Sequence, residues 1–231
     1  MRFFVFIAVA VAFAAPSLAQ GKDRGLSVAG RGEVSAKPDM ATVSFGVETV
    51  RDGAGAAMAA NSAGMSKVIA AIKRAGIAPD DIQTSSLALS PQWQRKRNSP
   101  DSAPRIVGYL ASNNIAVRVR RISALGEIID AAMQAGVNRV DSVSFGFSDS
   151  TELLDKALQL AVKDALRKAA LYAEAAGVRL GPVISLSERG VSRPRPSVAE
   201  FGRAEMQAAA APIERGEITL SASVLILVAI E

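Results

Sequence analysis

The chain has 231 residues, a modest basic excess of 27 lysines and arginines over 22 aspartates and glutamates, and a formal net charge of +5. It has neither cysteine nor histidine. This composition excludes disulfides, the usual zinc ligands and the side chain most often used for acid–base catalysis near neutral pH. We therefore expect no metal or cofactor, and the charge excess is too small to favour nucleic acid as a partner.

The N-terminus has the pattern of a secretory signal. Arg2 precedes the apolar run Phe3–Ala15, and Ser17 and Ala19 supply small residues at positions −3 and −1. The run is shorter than the roughly 20 residues of a membrane-spanning helix. We expect cleavage after Ala19 and export to the periplasm. Residues 20–231 then form one domain, with a division into two sub-lobes as an alternative.

Two strands are predicted at the start of the mature chain. Gly30 and Gly32 lie in the first, where they indicate a bulge or the close approach of another backbone. The turn at residues 37–39, Lys-Pro-Asp, predicts a hairpin with the second strand. Apolar residues alternate with polar ones along that second strand, as in a half-buried strand: Ala41, Val43, Phe45 and Val47.

Three segments then repeat one pattern, in which an amphipathic helix is followed by a strand. Each helix ends before a glycine, at Gly76, Gly136 and Gly177, where a left-handed residue commonly stops a helix. The third helix is predicted to bury a mostly alanine stripe: Leu154, Leu158, Ala161, Ala165, Ala169, Tyr172 and Ala176. The repetition indicates partly duplicated β-α-β units.

Two long strands and two irregular segments complete the mature chain. Strands are predicted at residues 107–119 and 218–230, and the second half of the latter is apolar on both faces. Such a strand is either central in a sheet or covered by a partner, so Val224 and Ile226 are candidate contacts. Residues 94–105 are predicted to be a polar hairpin tip, and residues 189–215 a mobile loop.

The element order β-β-α-β-β-α-β-α-β, a linker and a final β predicts an α+β fold, in which three amphipathic helices pack on a mixed β-sheet. The order of these pieces resembles the SIMPL-domain family, most of all its bacterial periplasmic members, including the immunogenic type. The resemblance implies an association with envelope or oxidative stress, and assembly of some members into rings.

Few residues suggest a site. Asp80 and Asp81 are best interpreted as a turn that leads into a strand. Trp93 is the only tryptophan and precedes a basic cluster formed by Arg95, Lys96 and Arg97. An aromatic residue beside cations can anchor a protein partner or lie at a lipid head-group surface; the alternative is a hairpin residue that covers the sheet edge.

Tyr109 and Asn113 are the remaining candidates. Asn113 falls on the apolar face of its strand, so its amide needs hydrogen bonds in the core or at a subunit contact. Taken together, the sequence predicts an exported, non-enzymatic protein that assembles with itself, as a ring or another oligomer. Contact with the membrane surface, including the outer membrane, stays open. The alternatives are a binding module for a small amphiphile or a protein, and a carboxylate-dependent hydrolase.

Overall fold

The structure is a computed structural model that describes residues 25–94, 103–196 and 215–231. The strands are β1 (Gly25–Ala36), β2 (Met40–Arg51), β3 (Ile82–Gln94), β4 (Arg105–Val119), β5 (Arg139–Gly146), β6 (Leu180–Pro196) and β7 (Ile218–Ile230). The helices are α1 (Ala54–Arg74), α2 (Leu125–Gln134) and α3 (Thr151–Ala176). Among these helices, none is long and apolar enough to cross a bilayer.

The α+β class and the order of elements are confirmed. The strands form two sheets, however, with the orders β1-β7-β6 and β3-β4-β2-β5. Every strand pair in them is antiparallel. Each sheet has its own helices and its own cluster of buried apolar side chains.

The predicted hairpin of β1 and β2 is wrong. β1 pairs with β7, whereas β2 pairs with β4 and β5, so the turn at residues 37–39 carries the chain from one sheet to the other. Asp39 fixes this crossing, because its carboxylate accepts hydrogen bonds from the backbone N–H and the hydroxyl of Ser148 at 2.7 and 2.6 Å. These bonds tie the turn to the segment after β5, and the chain enters the other sheet instead of returning along β1.

The four-stranded sheet packs one face against α1 and α2. The alternation predicted for β2 is confirmed, because Ala41, Val43, Phe45 and Val47 are all buried. They form one cluster with apolar residues of β4, α1 and α2, which include Ile115, Val117, Met65, Val68, Ile72, Leu125 and Ile128. α1 lies over β2 and β4 and makes few contacts with β3, whereas α2 packs beside α1.

The three-stranded sheet packs against α3. The buried stripe of α3 consists of Ala157, Ala161, Ala165, Ala169 and Ala173. The predicted burial of Tyr172 and Ala176 is wrong, since both are exposed; the stripe follows strict four-residue spacing instead. Because alanine is small, α3 lies directly on Gly30 and Gly32 of β1, which confirms the predicted close approach.

The three helices end at glycines, as predicted. Gly76, Gly136 and Gly177 have φ values of +94°, +116° and +67°, which confirms the predicted left-handed helix ends.

The predicted loop at 189–215 is wrong in its first part, because β6 continues to Pro196 and pairs there with Ile218. The register shifts between Glu188 and Gly190, and such irregularities hide the strand from a pattern of alternation. The rest of that prediction, at 197–214, lies outside the described residues.

Candidate functional site

β3 is an edge strand whose inner face extends beyond the helices. Leu87 and Leu89 lie opposite Asn113 and Ala111 of β4, on the face that α1 and α2 cover further along the sheet. Leu87 is nevertheless 55% exposed and Leu89 40% exposed, because α1 makes few contacts with β3. The edge strand therefore presents apolar side chains that other described residues cover only in part.

The opposite face is also apolar at the end of this hairpin. A bulge between Gln92 and Trp93 shifts the register, so that Trp93 lies opposite Ile106. Trp93 is 61% exposed, in keeping with its prediction as a surface residue near the tip. Arg95, Lys96 and Arg97, the predicted basic cluster, lie outside the described residues.

Tyr109 and Asn113 lie on β4 behind this edge. Tyr109 is partly buried and lies opposite Pro91 of β3. Asn113 is on the apolar face as predicted, and its amide oxygen is buried without a hydrogen-bond partner among the described residues. An unpaired buried acceptor is costly and calls for a donor.

A second buried amide lies nearby and was missed from the sequence. Asn61 of α1 is fully buried and donates to the carbonyl oxygens of Val47 and Ala111 at 2.7 and 3.0 Å. Its own amide oxygen has no partner in the described part of the chain. A signal did exist, because Asn61 is four residues before Met65 and continues the helical stripe of α1.

Val224 and Ile226 are not surface contacts. They are 1% and 0% exposed and belong to the apolar cluster between α3 and the three-stranded sheet. β7 is the central strand of that sheet, which accounts for its apolar character. The structure therefore corrects their assignment as interaction residues: they form the core of the subunit.

Asp81 is the one buried carboxylate among the described residues, with 5% of its surface exposed. It ends a 3₁₀ turn, Pro79–Asp81, before β3, which agrees with the predicted turn. Arg120 donates its Nε and Nη2 to the two carboxylate oxygens at 2.7 and 2.8 Å. Arg118 places its Nε 3.4 Å from the carboxylate and donates Nη2 to the carbonyl oxygen of Asp80 at 2.8 Å.

These arginines line a cleft of about 360 Å³ at the end of the four-stranded sheet. We call it the Asp81 cleft. It lies where the turn after α1, the 3₁₀ turn and the turn between β4 and α2 meet. Its walls include Ile77, Val119, Ala124 and Ile128, together with Asp81 and the three arginines Arg118, Arg120 and Arg121.

Asp81 should make stability depend on pH in acid. The hydrogen bond from Arg120 is the main cause that holds the pKa of Asp81 below its usual value; burial opposes the shift, and the charges of Arg120 and Arg118 add to it. In the unfolded chain this pKa is about 3.9. The stabilisation is therefore fully present above that pH and is lost as the pH falls through the lower folded value.

The test compares the free energy of urea unfolding of the wild type with that of Asp81→Asn between pH 7 and pH 2. We expect the variant to be less stable by about 1–2 kcal/mol at pH 7, a value reduced for the partial exposure of both arginines. The difference should shrink below pH 4. Asp80→Asn is the matched control, because only the backbone of Asp80 contacts Arg118. An equal pH dependence in both variants would contradict the assignment.

A second ionic network lies on the outer face of the same sheet. Arg139 pairs with Glu48 and, at 2.7 Å between Nε and Oδ1, with Asp141. Its Nη2 also donates to the Asn114 side chain at 3.2 Å. No group of three or more possible metal-ligating side chains occurs within residues 25–94, 103–196 and 215–231. Both carboxylates of the network are held by one guanidinium, which fits a structural role.

Comparisons with known proteins agree with the resemblance. A family model described as "SIMPL: Protein of unknown function (DUF541)" matches residues 26–226. The chain is 34% identical to the "26 kDa periplasmic immunogenic protein" of Brucella melitensis, over 96% of this chain and 92% of that one. It is 32% identical to the "Uncharacterized protein YggE" of Edwardsiella ictaluri and 29% to that of Escherichia coli K12. Those two matches cover 68% of this chain and 64% and 62% of the relatives. The chain belongs to the SIMPL family.

Proposed function

We propose that this is an exported periplasmic protein without an enzymatic role, which assembles with copies of itself in the cell envelope. The signal-like N-terminus supports export, and a relative with 34% identity is named a periplasmic protein. The observation that carries self-assembly is the uncovered edge of β3.

β3 differs from the other three edge strands in its lack of charge. β1 carries Arg31 and Glu33, β5 carries Arg139 and Asp141, and β6 carries Glu188 and Arg189. The 13 residues of β3 include no charged side chain. Charges on an edge strand normally prevent pairing with another chain, and β3 lacks this protection.

A second copy suits this edge. The free N–H and C=O groups of β3 can pair with a strand of another subunit, and the same contact covers Leu87 and Leu89. Pro91 has no N–H to donate, so the pairing should extend over Thr84–Ser90 and stop there. Because Leu87 and Leu89 are already about half covered, burial of the rest adds roughly 1 kcal/mol for each, about half the value of a fully exposed side chain.

The substitution Leu87→Lys tests this interface. Because Leu87 is already exposed, the variant should keep its fold and lose the assembled state, as a charge opposes edge pairing. Native mass spectrometry of residues 20–231 should show an oligomer for the wild type and one chain for the variant. Leu171→Lys is the matched control, since Leu171 is 53% exposed on α3 and its replacement should leave the oligomer intact. A monomeric wild type at micromolar concentration would overturn the assembly proposal.

The proposal includes an association with envelope or oxidative stress, which the resemblance to the SIMPL family implies. Deletion of the gene should increase the sensitivity of the bacterium to peroxide or to envelope-damaging detergent, and the wild-type gene should restore growth. Complementation with the gene for Leu87→Lys then asks whether the role needs the oligomer. Equal sensitivity of the deletion and the parent strain would remove this part of the proposal.

A further inference from the structure

The Asp81 cleft combines an apolar lining with an excess of positive charge. Its apolar part is formed by Ile77, Val119, Ala124 and Ile128. The residues that line it include three arginines, Arg118, Arg120 and Arg121, but a single carboxylate, that of Asp81. The cleft residues therefore carry a net charge of about +2, because arginine stays protonated in proteins and the pKa of Asp81 is held low.

Asp81 does not use all of the donors in the cleft. Arg120 donates hydrogen bonds from Nε and Nη2 to the carboxylate. Arg118 directs its Nε to the carboxylate and donates Nη2 to a backbone carbonyl oxygen. Both keep Nη1, which has no hydrogen bond to a described residue. The side chain of Arg121 has no hydrogen bond or ion pair with any described residue; only its backbone carbonyl is bonded, to the N–H of Ala124. Asp81 thus holds two guanidiniums in fixed orientation, while donors remain for a further acceptor.

A further carboxylate, that of Asp39, offsets only part of this charge. Asp39 acts on Arg120 only through its charge, because its oxygens are occupied by the N–H and hydroxyl of Ser148. The side chains of Arg118 and Arg120 are 49% and 61% exposed. An anion that enters from solvent can therefore reach them without displacing the Asp81 pair.

We propose that the Asp81 cleft binds a small organic anion in which a carboxylate or phosphate group is joined to a short apolar body. The head group would accept hydrogen bonds from Arg121 and from the free Nη1 groups, as planar guanidinium forks suit both carboxylate and phosphate. The apolar body would lie against Ile77, Ala124 and Ile128. A volume of about 360 Å³ is at the small end of ligand pockets, which restricts the ligand to a short chain or a single ring.

Octanoate and octyl phosphate are suitable probes for the two head groups, with octylamine and octanol as probes of the same length that lack an anion. Each is titrated into the mature protein by isothermal titration calorimetry and by following backbone amide shifts. We expect the two anions to bind and to shift the amides of residues 75–81 and 118–128. The stronger of the two identifies the head group. Octylamine should not bind, and octanol should bind at least tenfold more weakly.

Arg121→Gln should weaken anion binding by about tenfold, the loss that follows from one charge-assisted hydrogen bond. The side chain of Arg121 has no partner among the described residues, so the variant should unfold at the same urea concentration as the wild type. Arg121→Lys keeps the charge but not the fork and should lose less. Arg189→Gln removes an exposed arginine from β6 and serves as the matched control, with unchanged binding.

Three results would overturn the inference: no saturable binding of either anion, equal binding of octanol, or equal losses in Arg121→Gln and Arg189→Gln. The inference is independent of self-assembly. Arg121→Gln should leave the mass of the oligomer unchanged, and Leu87→Lys should leave anion binding unchanged. The failure of one proposal can therefore be told apart from the failure of the other.

Discussion

Replacing Ile226 by Asp is expected to unfold the three-stranded sheet. Ile226 is fully buried on the central strand β7, opposite Val28 of β1 and Leu186 of β6. Its cluster includes Ala165 and Ala169 of α3, so a carboxylate at this position would lie among apolar side chains. The variant loses the packing of the isoleucine and also buries a polar group. We expect a loss of about 4–5 kcal/mol in the free energy of unfolding, a large part of the 5–15 kcal/mol of a typical domain.

The measurement is urea unfolding followed by circular dichroism, and the matched control is Ser223→Asp. Ser223 is three residues earlier on the same strand, on the opposite face, and lies opposite Arg31 of β1. A carboxylate there stays hydrated beside an arginine, so its effect should be within about 0.5 kcal/mol. Similar losses in both variants would contradict the burial of Ile226 under α3.

This prediction also separates folding from assembly. Because Ile226 lies inside the subunit, Ile226→Asp should abolish the oligomer only to the extent that the chain unfolds. Leu87→Lys should abolish the oligomer in a chain that stays folded. A folded Ile226→Asp monomer would place the interface at β7 and move the assembly surface from one sheet to the other.

The elements that local signals specify were predictable from the sequence. The three helix ends follow from Gly76, Gly136 and Gly177, whose positive φ values are a property of the individual residue. The bounds of β7 follow from its alternation over Ile218–Ile230, and the predicted strand agrees residue for residue. The alternation of apolar residues and the glycine that ends a helix both lie within a few residues of the element itself. They can therefore be recognised without a structure.

The division into two sheets was not predictable in this way. β1 and β7 pair from Gly25 opposite Ala229 to Ala36 opposite Ile218, at opposite ends of the mature chain. Short-range turn chemistry favoured β1 with β2 instead. The choice of pairing partner for β1 depends on the packing of α3 on the glycines of that strand. This is a long-range property, which the alternation of apolar and polar residues does not encode.

The candidate site shows the same limit. The exposure of Trp93 followed from its place beside a polar hairpin tip, whereas the burial of Asp81 depends on two arginines brought close by the pairing of Ile82 with Val117. Arg118 and Arg120 share one side of the strand by their spacing of two. Their common partner, however, becomes visible only once the register between β3 and β4 is known.

The packing of α3 on β1 leads to the second large effect, the destabilisation of Gly30→Ala. A Cβ atom at Gly30 would lie 2.6 Å from both the backbone nitrogen and the Cβ of Ala165, and it would also collide with the carbonyl oxygen of Ala161. These are mostly backbone atoms, which cannot rotate away. The helix would have to lift from the sheet, and two contacts oppose this. The backbone N–H of Arg31 donates to the Asp164 carboxylate, and Lys168, which pairs with Asp164, donates to the carbonyl oxygen of Ala29. We expect a loss of about 3 kcal/mol, the upper end of the usual cost of overpacking.

Thermal and urea unfolding of three variants test this origin. Gly126→Ala is the control, because Gly126 of α2 has nothing within 4 Å of a new Cβ, and alanine should leave stability unchanged or raise it by up to about 1 kcal/mol. The double variant Gly30→Ala with Ala165→Gly removes one methyl group but keeps the collision with the Ala161 carbonyl oxygen. It should therefore remain close to Gly30→Ala in stability. Full recovery in the double variant would mean that α3 meets β1 through side chains alone, with its backbone further from the sheet.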